Sequence, residues 1–168
     1  AWLRGGEVVR GTLITGDPAG DGFLMLSPVF GSVELPIDRL AAFVPAGNGG
    51  IGPRALRLPD GVSEALFVRA KMGFDLLAGS LHRFSPQGLR FAIDGEERAR
   101  LYRPEKFVAL RIGDPEPRSQ PASATVVTRT GDRLGVDVEA FSAVGVKCRL
   151  ENGSVVEIRN ADLACLVF

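Results

Sequence analysis

The chain has 168 residues, 45% of them hydrophobic, and its 20 basic residues balance 20 acidic ones. That apolar content is ample for a core, while the charge balance supplies no overall field to concentrate the protein on phosphate backbones or anionic membranes. No apolar run approaches the roughly 18 residues that span a bilayer, so no membrane insertion is expected of this segment.

The 21 glycines and 11 prolines interrupt helices and favour many short strands. In chain order, "GEVVRGTL" opens the pattern with an acidic turn residue, Glu7, ahead of apolar Val9 and Leu13. The turn "DPAGDG" (17–22) follows, then "GFLML", a strand apolar on both faces. Such a strand is covered on both sides, which makes Phe23–Leu26 the expected contact between copies. "SVELPIDRLAAFV" then gives a short strand, a polar step and a final apolar strand. The step is too short for an α-helix and suits a 3₁₀ turn.

The formula returns twice. "FDLLAGSL" and "GDRLGVDV" set Asp75 and Asp132 where Glu7 stands, with Leu77 and Leu134 at the place of Val9. "LHRFSPQGLRFAIDG" runs in step with "VEAFSAVGVKCRLENG": Phe84 over Phe141, Gly88 over Gly145, then alternating Leu89/Phe91/Ile93 over Val146/Cys148/Leu150. Alternation of this kind points those side chains to one face of a strand. "ARLYRPEKFVALRI" and "VVEIRNADLACLVF" close the second and third copies as the first was closed. With the strands "LFVRAK" and "ATVVTRT" ahead of the acidic turns, each copy has five strands. A repeat fixes the architecture more firmly than any local reading. The expected organisation is copies at 1–45, 64–113 and 122–168, with Gly/Pro-rich and Pro-rich linkers at 46–63 and 114–121. Copies of fewer than about 50 residues are marginal alone, so they should pack on one another.

Five short strands with a 3₁₀ step before the last describe a small closed sheet. The pattern resembles the Sm-like and Src-homology-3-like small β-barrels, above all the tandem copies found in large bacterial proteins. "GEVVRGTLITGDPAGDGFLML" carries the resemblance, with Gly11, Leu13 and Asp17 at the spacing of the first Sm motif. It implies an all-β protein of three tandem five-stranded small barrels, each with a 3₁₀ turn before its last strand. The RNA-binding Sm proteins also hold a base with an Asn in that loop and a later Arg-Gly. Neither is present here, and Ser85 and Ser142 replace Asp17 in the other copies.

Sites are few. "GNGGIG" (47–52) satisfies G-x-G-x-x-G, but Pro53 and Pro59 leave no room for the helix whose N-terminus would meet a pyrophosphate, so no cofactor is expected. "DPAGDG" lacks the alternating ligands of a calcium loop and reads as a turn. A single histidine, His82, and two cysteines make a zinc site implausible. His82 reads as a solvated strand position, and Glu96 and Glu97 as a solvated turn. Cys148 takes the slot of Phe91 and Met25, and Cys165 that of Ala42 and Ala109, so buried free thiols are expected of both, with a disulfide as the alternative. No catalytic motif is found, and no enzyme is expected.

One feature goes beyond scaffold. In "ERARLYR", with Ala99 and Leu101 pointing inward, Arg98, Arg100 and Tyr102 point outward together, followed by Arg103 and joined by Arg90 on the adjacent strand. Guanidinium groups beside an aromatic ring can hold a carboxylate, a phosphate or a stacked base. The same outward slot holds Glu34 and Glu157 in the other copies. The expected role is a non-catalytic structural or interaction module. Its partner is a protein or other macromolecule, neighbouring domains of the same polypeptide included; single-stranded RNA or DNA bound on the second copy is the alternative. The first residue is Ala, so a piece of a longer bacterial polypeptide is expected; its localisation is left open, with a lean to an extracytoplasmic setting.

Overall fold

The alternating stretches pair into curled antiparallel sheets, and the chain is all-β. The structure is a computed structural model that describes residues 1–17, 22–48, 55–113 and 122–168. The "DPAGDG" turn, most of "GNGGIG" and the 114–121 linker lie outside the described residues. The first segment contains β1 (Trp2–Leu3), β2 (Thr12–Asp17), β3 (Gly22–Ser27), β4 (Gly31–Pro36) and β5 (Leu40–Phe43). The second contains β6 (Glu64–Arg69), β7 (Phe74–Ser85), β8 (Gly88–Ile93), β9 (Arg100–Tyr102) and β10 (Phe107–Ile112). The third contains β11 (Ala124–Thr128), β12 (Arg133–Phe141), β13 (Gly145–Arg149), β14 (Val155–Arg159) and β15 (Leu163–Val167).

Pairing follows one order in the second and third segments. In the third segment it runs β14-β13-β12-β11-β15, and in the second β9-β8-β7-β6-β10. The first segment forms a β2-β3-β4 ladder and a β1-β5 pair, linked by a bridge between Trp2 and Val8. The step before the last strand is a 3₁₀ helix at Ile37–Arg39. Its counterparts are single turns, closed by Lys106 N–H to Arg103 C=O and by Asp162 N–H to Arg159 C=O, each 2.9 Å.

Two irregularities recur at matching places. The second strand of each segment slips register by one residue, after Leu13, Leu81 and Val138, leaving Ile14, His82 and Glu139 as the extra residues. The last strand slips likewise, with Ala41, Val108 and Ala164 as the extra residues. A bulge bends its strand and increases the local twist, which is how so few strands curl. Glycine marks a third shared position. A Cβ on Gly22, Gly88 or Gly145 would lie 2.9, 2.1 or 2.2 Å from the carbonyl oxygen of Leu35, Tyr102 or Ile158 on the neighbouring strand. Only a residue without a side chain lets strands three and four approach so closely.

The slots read from the alternation are core: Met25, Phe91 and Cys148 are each opposite the residue before the bulge, and all are buried. One apolar cluster runs through all three segments, with Phe23, Phe84, Phe91 and Phe107 among its largest fully buried side chains. A smaller cluster covers the other face of β5, β6 and β10, where Leu56, fully buried, packs with Ala42, Ala65, Phe67 and Ala109. The stretch between the first two segments thus supplies core as well as connection.

The first and second segments share one ten-stranded sheet. β5 and β10 lie edge to edge with Phe43 opposite Leu110 and Ala42 opposite Arg111, and β2 meets β7 at Gly16 and Phe84. Phe84 packs against Phe43, ring centroids 5.3 Å apart, and against Phe23 at 6.1 Å. Of the expected contact strand, Phe23 packs against Phe84 and Met25 is buried in the shared cluster, whereas Leu26 is 53% exposed. Arg111, buried in the joint, donates from Nη1 to the carbonyl of Ala41 at 2.9 Å.

Gly145→Ala should lower the unfolding free energy by about 2 kcal/mol, the usual scale of a forced backbone shift. Urea titration checks it; an unchanged midpoint would contradict the close approach of β13 and β14.

Candidate functional site

The arginine patch is reordered by the register of β8 and β9. Leu89 lies opposite Tyr102, Arg90 opposite Leu101 and Phe91 opposite Arg100. Directly opposed residues share a face, so Tyr102 stands on the core side with Leu89 and Phe91. Its half-buried ring packs against the core, and burial raises its phenol above the ordinary range, with the Arg100 charge opposing. Leu101, 47% exposed, takes the outward slot instead. The expected phase is thus inverted, set by the register of β9 against β8. Arg100 pairs with Glu96 at 2.9 Å, Arg98 lies beside it in an exposed turn, and Arg103 is exposed at the turn before β10. Arg98, Arg100, Tyr102 and Arg103 do not gather on one face with Arg90.

What does gather with Arg90 is Arg83, directly opposite it on β7. Arg83, Ser85, Gln87, Arg90 and Leu101 line a shallow open groove of ≈ 340 Å³. Among the described residues no carboxylate makes an ion pair with Arg83 or Arg90. Sequence reasoning missed Arg83, because the bulge at His82 that resets the alternation of β7 is visible only in its pairing with β8.

His82 is exposed, as the extra residue of the β7 bulge. Its charge acts on Glu64, whose Oε2 accepts the Leu81 N–H at 2.6 Å. Burial raises the Glu64 carboxyl above its ordinary value, and the Leu81 hydrogen bond and His82 act the other way. Both cysteines are free; Cys148 is buried as expected, whereas Cys165 is exposed on β15. Burial, with the Glu139 charge, pushes the Cys148 thiol up. Among the described residues no group of three His, Cys, Asp or Glu could hold a metal ion.

A buried polar cluster lies where the first segment meets the third. Val8 and Arg133 exchange backbone hydrogen bonds of 2.6 and 2.8 Å. On either side of that bridge the acidic turn residues act reciprocally. Glu7 Oε1 accepts the N–H of Gly135 at 2.7 Å, and Asp132 Oδ1 accepts the N–H of Arg10 at 2.5 Å. Gly135 stands three places after Asp132, as Arg10 does after Glu7, so each carboxylate holds the same amide of the opposite segment. Asp132, fully buried, also accepts from Thr128 Oγ1 at 2.9 Å and Thr130 Oγ1 at 2.6 Å. Arg39 ties Glu7, at 2.5 Å, to Glu151. Beside this joint is a cavity of ≈ 20 Å³, lined by Leu3, Glu7, Arg39, Leu134 and Glu151 among others, with room for about one water. The repeat had marked Glu7 and Asp132 as turn residues; that they clasp one another's segments depends on distant packing that no local pattern records. Asp75, their counterpart in the second segment, is exposed.

Removing a buried acceptor strands its donors. Asp132→Ala should lower the unfolding free energy by about 2–3 kcal/mol, while Asp75→Ala should change it by no more than about 0.5 kcal/mol. Paired urea titrations check this, and equal losses at both positions would contradict the clasp.

Among the described residues no helix is long and apolar enough to cross a membrane. Comparison of the chain with protein families, with curated proteins and with solved structures finds no match.

Proposed function

We propose that the chain is a non-catalytic structural and interaction module of a larger bacterial protein: three copies of one five-stranded small barrel, of Sm-like or Src-homology-3-like form, locked together and acting through the surface that remains. The strand order shared by the second and third segments, and the paired bulges and the glycine at the start of the third strand shared by all three, support the single formula. The observation that carries the reading is the reciprocal clasp of Glu7 and Asp132. The buried carboxylates, the groups that acid–base chemistry would need inside a cleft, hold segments together. Unfolding tests the reading. Trp2 fluorescence reports the first segment and Cys148 thiol accessibility the third, and one body unfolds with both curves coincident. Two separated transitions would contradict it.

A second reading is favoured by Arg83 and Arg90. Like charges directly opposite one another destabilise a strand pair, and an anion between them reverses the sign of that contact. With Leu101 as an apolar platform in the same groove, the ligand would be a single-stranded nucleic acid. Binding to single-stranded RNA or DNA at low salt should then weaken with added salt. Arg83→Ala plus Arg90→Ala should abolish it, while Arg98→Ala plus Arg100→Ala should weaken it less. No binding at low salt would remove this reading.

A further inference from the structure

The joint between the first two segments sets each residue against its own counterpart. Ala42 and Ala109 both follow the bulge of the last strand, so Phe43 and Leu110 are equivalent, and they stand opposite one another. Gly16 and Phe84 both lie three places after the residue that precedes the second-strand bulge, and they too are opposite. A contact in which like meets like at two separate points has approximate two-fold symmetry, so the surface that makes it is self-complementary.

The third segment owns the same surface and leaves it open. By the same ladder positions, Leu166 corresponds to Phe43 and Leu110, and Phe141 to Gly16 and Phe84. Phe84 is 1% exposed, yet Phe141 is 65% exposed, with Val144, three residues on, at 66% and Val167, next to Leu166, at 51%. Among the described strands β15 pairs only with β11 and so presents a free edge. Its residues, "LACLV", include no charge and no proline, the usual protections of an edge. The opposite edge, β14, carries Glu157 and Arg159.

We infer that the third segment docks on the third segment of a second copy of this chain, β15 against β15 in antiparallel register with Leu166 facing its own counterpart. The two Phe141 rings are covered at the axis, an aromatic pair of a kind that sheets accommodate. The sheet then continues from one chain into the next, as it already continues from β5 into β10. The inference gives the interaction module a partner and to that extent rests on that reading.

Sedimentation of the intact chain tests it, with a cross-link to fix the register. The chain should dimerise as its concentration rises, and Phe141→Ser should weaken the dimer on the order of ten-fold or more. In a Cys165→Ser background, Leu166→Cys should form an intermolecular disulfide under mild oxidation. Directly opposed strand residues are about 4.5–5.5 Å apart between Cα atoms, within disulfide reach. Val155→Cys on β14, in the same background, should not cross-link. A chain that stays monomeric at every concentration, or a dimer indifferent to Phe141→Ser and cross-linked equally well at position 155, would overturn the proposal. A monomer whose segments still unfold together would remove the partner and leave the module standing, whereas separated unfolding transitions would remove the module itself.

Discussion

The pairing of Phe43 with Leu110 is the contact on which the rest of the molecule depends. An open sheet of short strands ends in rows of unsatisfied N–H and C=O groups, and segments of fewer than about 50 residues bury too little surface to offset their ordering entropy alone. Joining β5 to β10 answers both demands. It hides two edges at once and brings Phe43, Phe84 and Phe107 into one aromatic cluster. Leu56 then seals the other face of the joint. The buried Arg111 crosses the joint to the Ala41 carbonyl, so its charge is taken out of water at the point where two sheets become one.

The second joint works by different chemistry. Between the first and third segments, among the described residues, the backbones meet at one isolated bridge, Val8 with Arg133. Beside it carboxylates accept amide hydrogen bonds, Asn152 donates to the Glu34 carbonyl, and apolar side chains of both segments share one cluster. Glu7 and Asp132 each accept an amide hydrogen bond from across the joint. Charge-assisted bonds of this kind are stronger than neutral ones, and losing either partner leaves a buried group unsatisfied. The first segment stands at the centre, with an edge joint on one side and a carboxylate clasp on the other. Each neighbour keeps the element it does not use: Asp75 exposed on the second segment, and the β15 edge on the third.

Legibility in the sequence tracks how local the cause is. The strands of the second and third segments follow from alternation, and Cys148 falls in its core slot because period-2 patterning is a property of a single strand. The glycines at 22, 88 and 145 were visible as a shared mark, though their cause, a carbonyl two to three ångströms from the missing Cβ, needs the neighbouring strand. β9 was misread in phase because a strand of three residues, "RLY", offers no alternation to count; its register against Leu89 and Phe91 decides. Arg83 was overlooked for the same reason in reverse: its groove exists only when β7, β8 and β9 lie side by side. The joints were out of reach altogether. Nothing local to Glu7 says that its partner is Gly135, more than a hundred residues away.

The central claim is that the joints are as permanent as the cores they connect. Native-state hydrogen exchange at the backbone amides of residues 42–43 and 110–111 tests it most directly, against the strand amides of Met25 and Phe91. If the joint opens only when the whole protein unfolds, its protected amides exchange with the same opening free energy as those core strands. If they exchange as readily as the exposed bend at residues 97–98, the segments are separate bodies resting on one another, and the account fails.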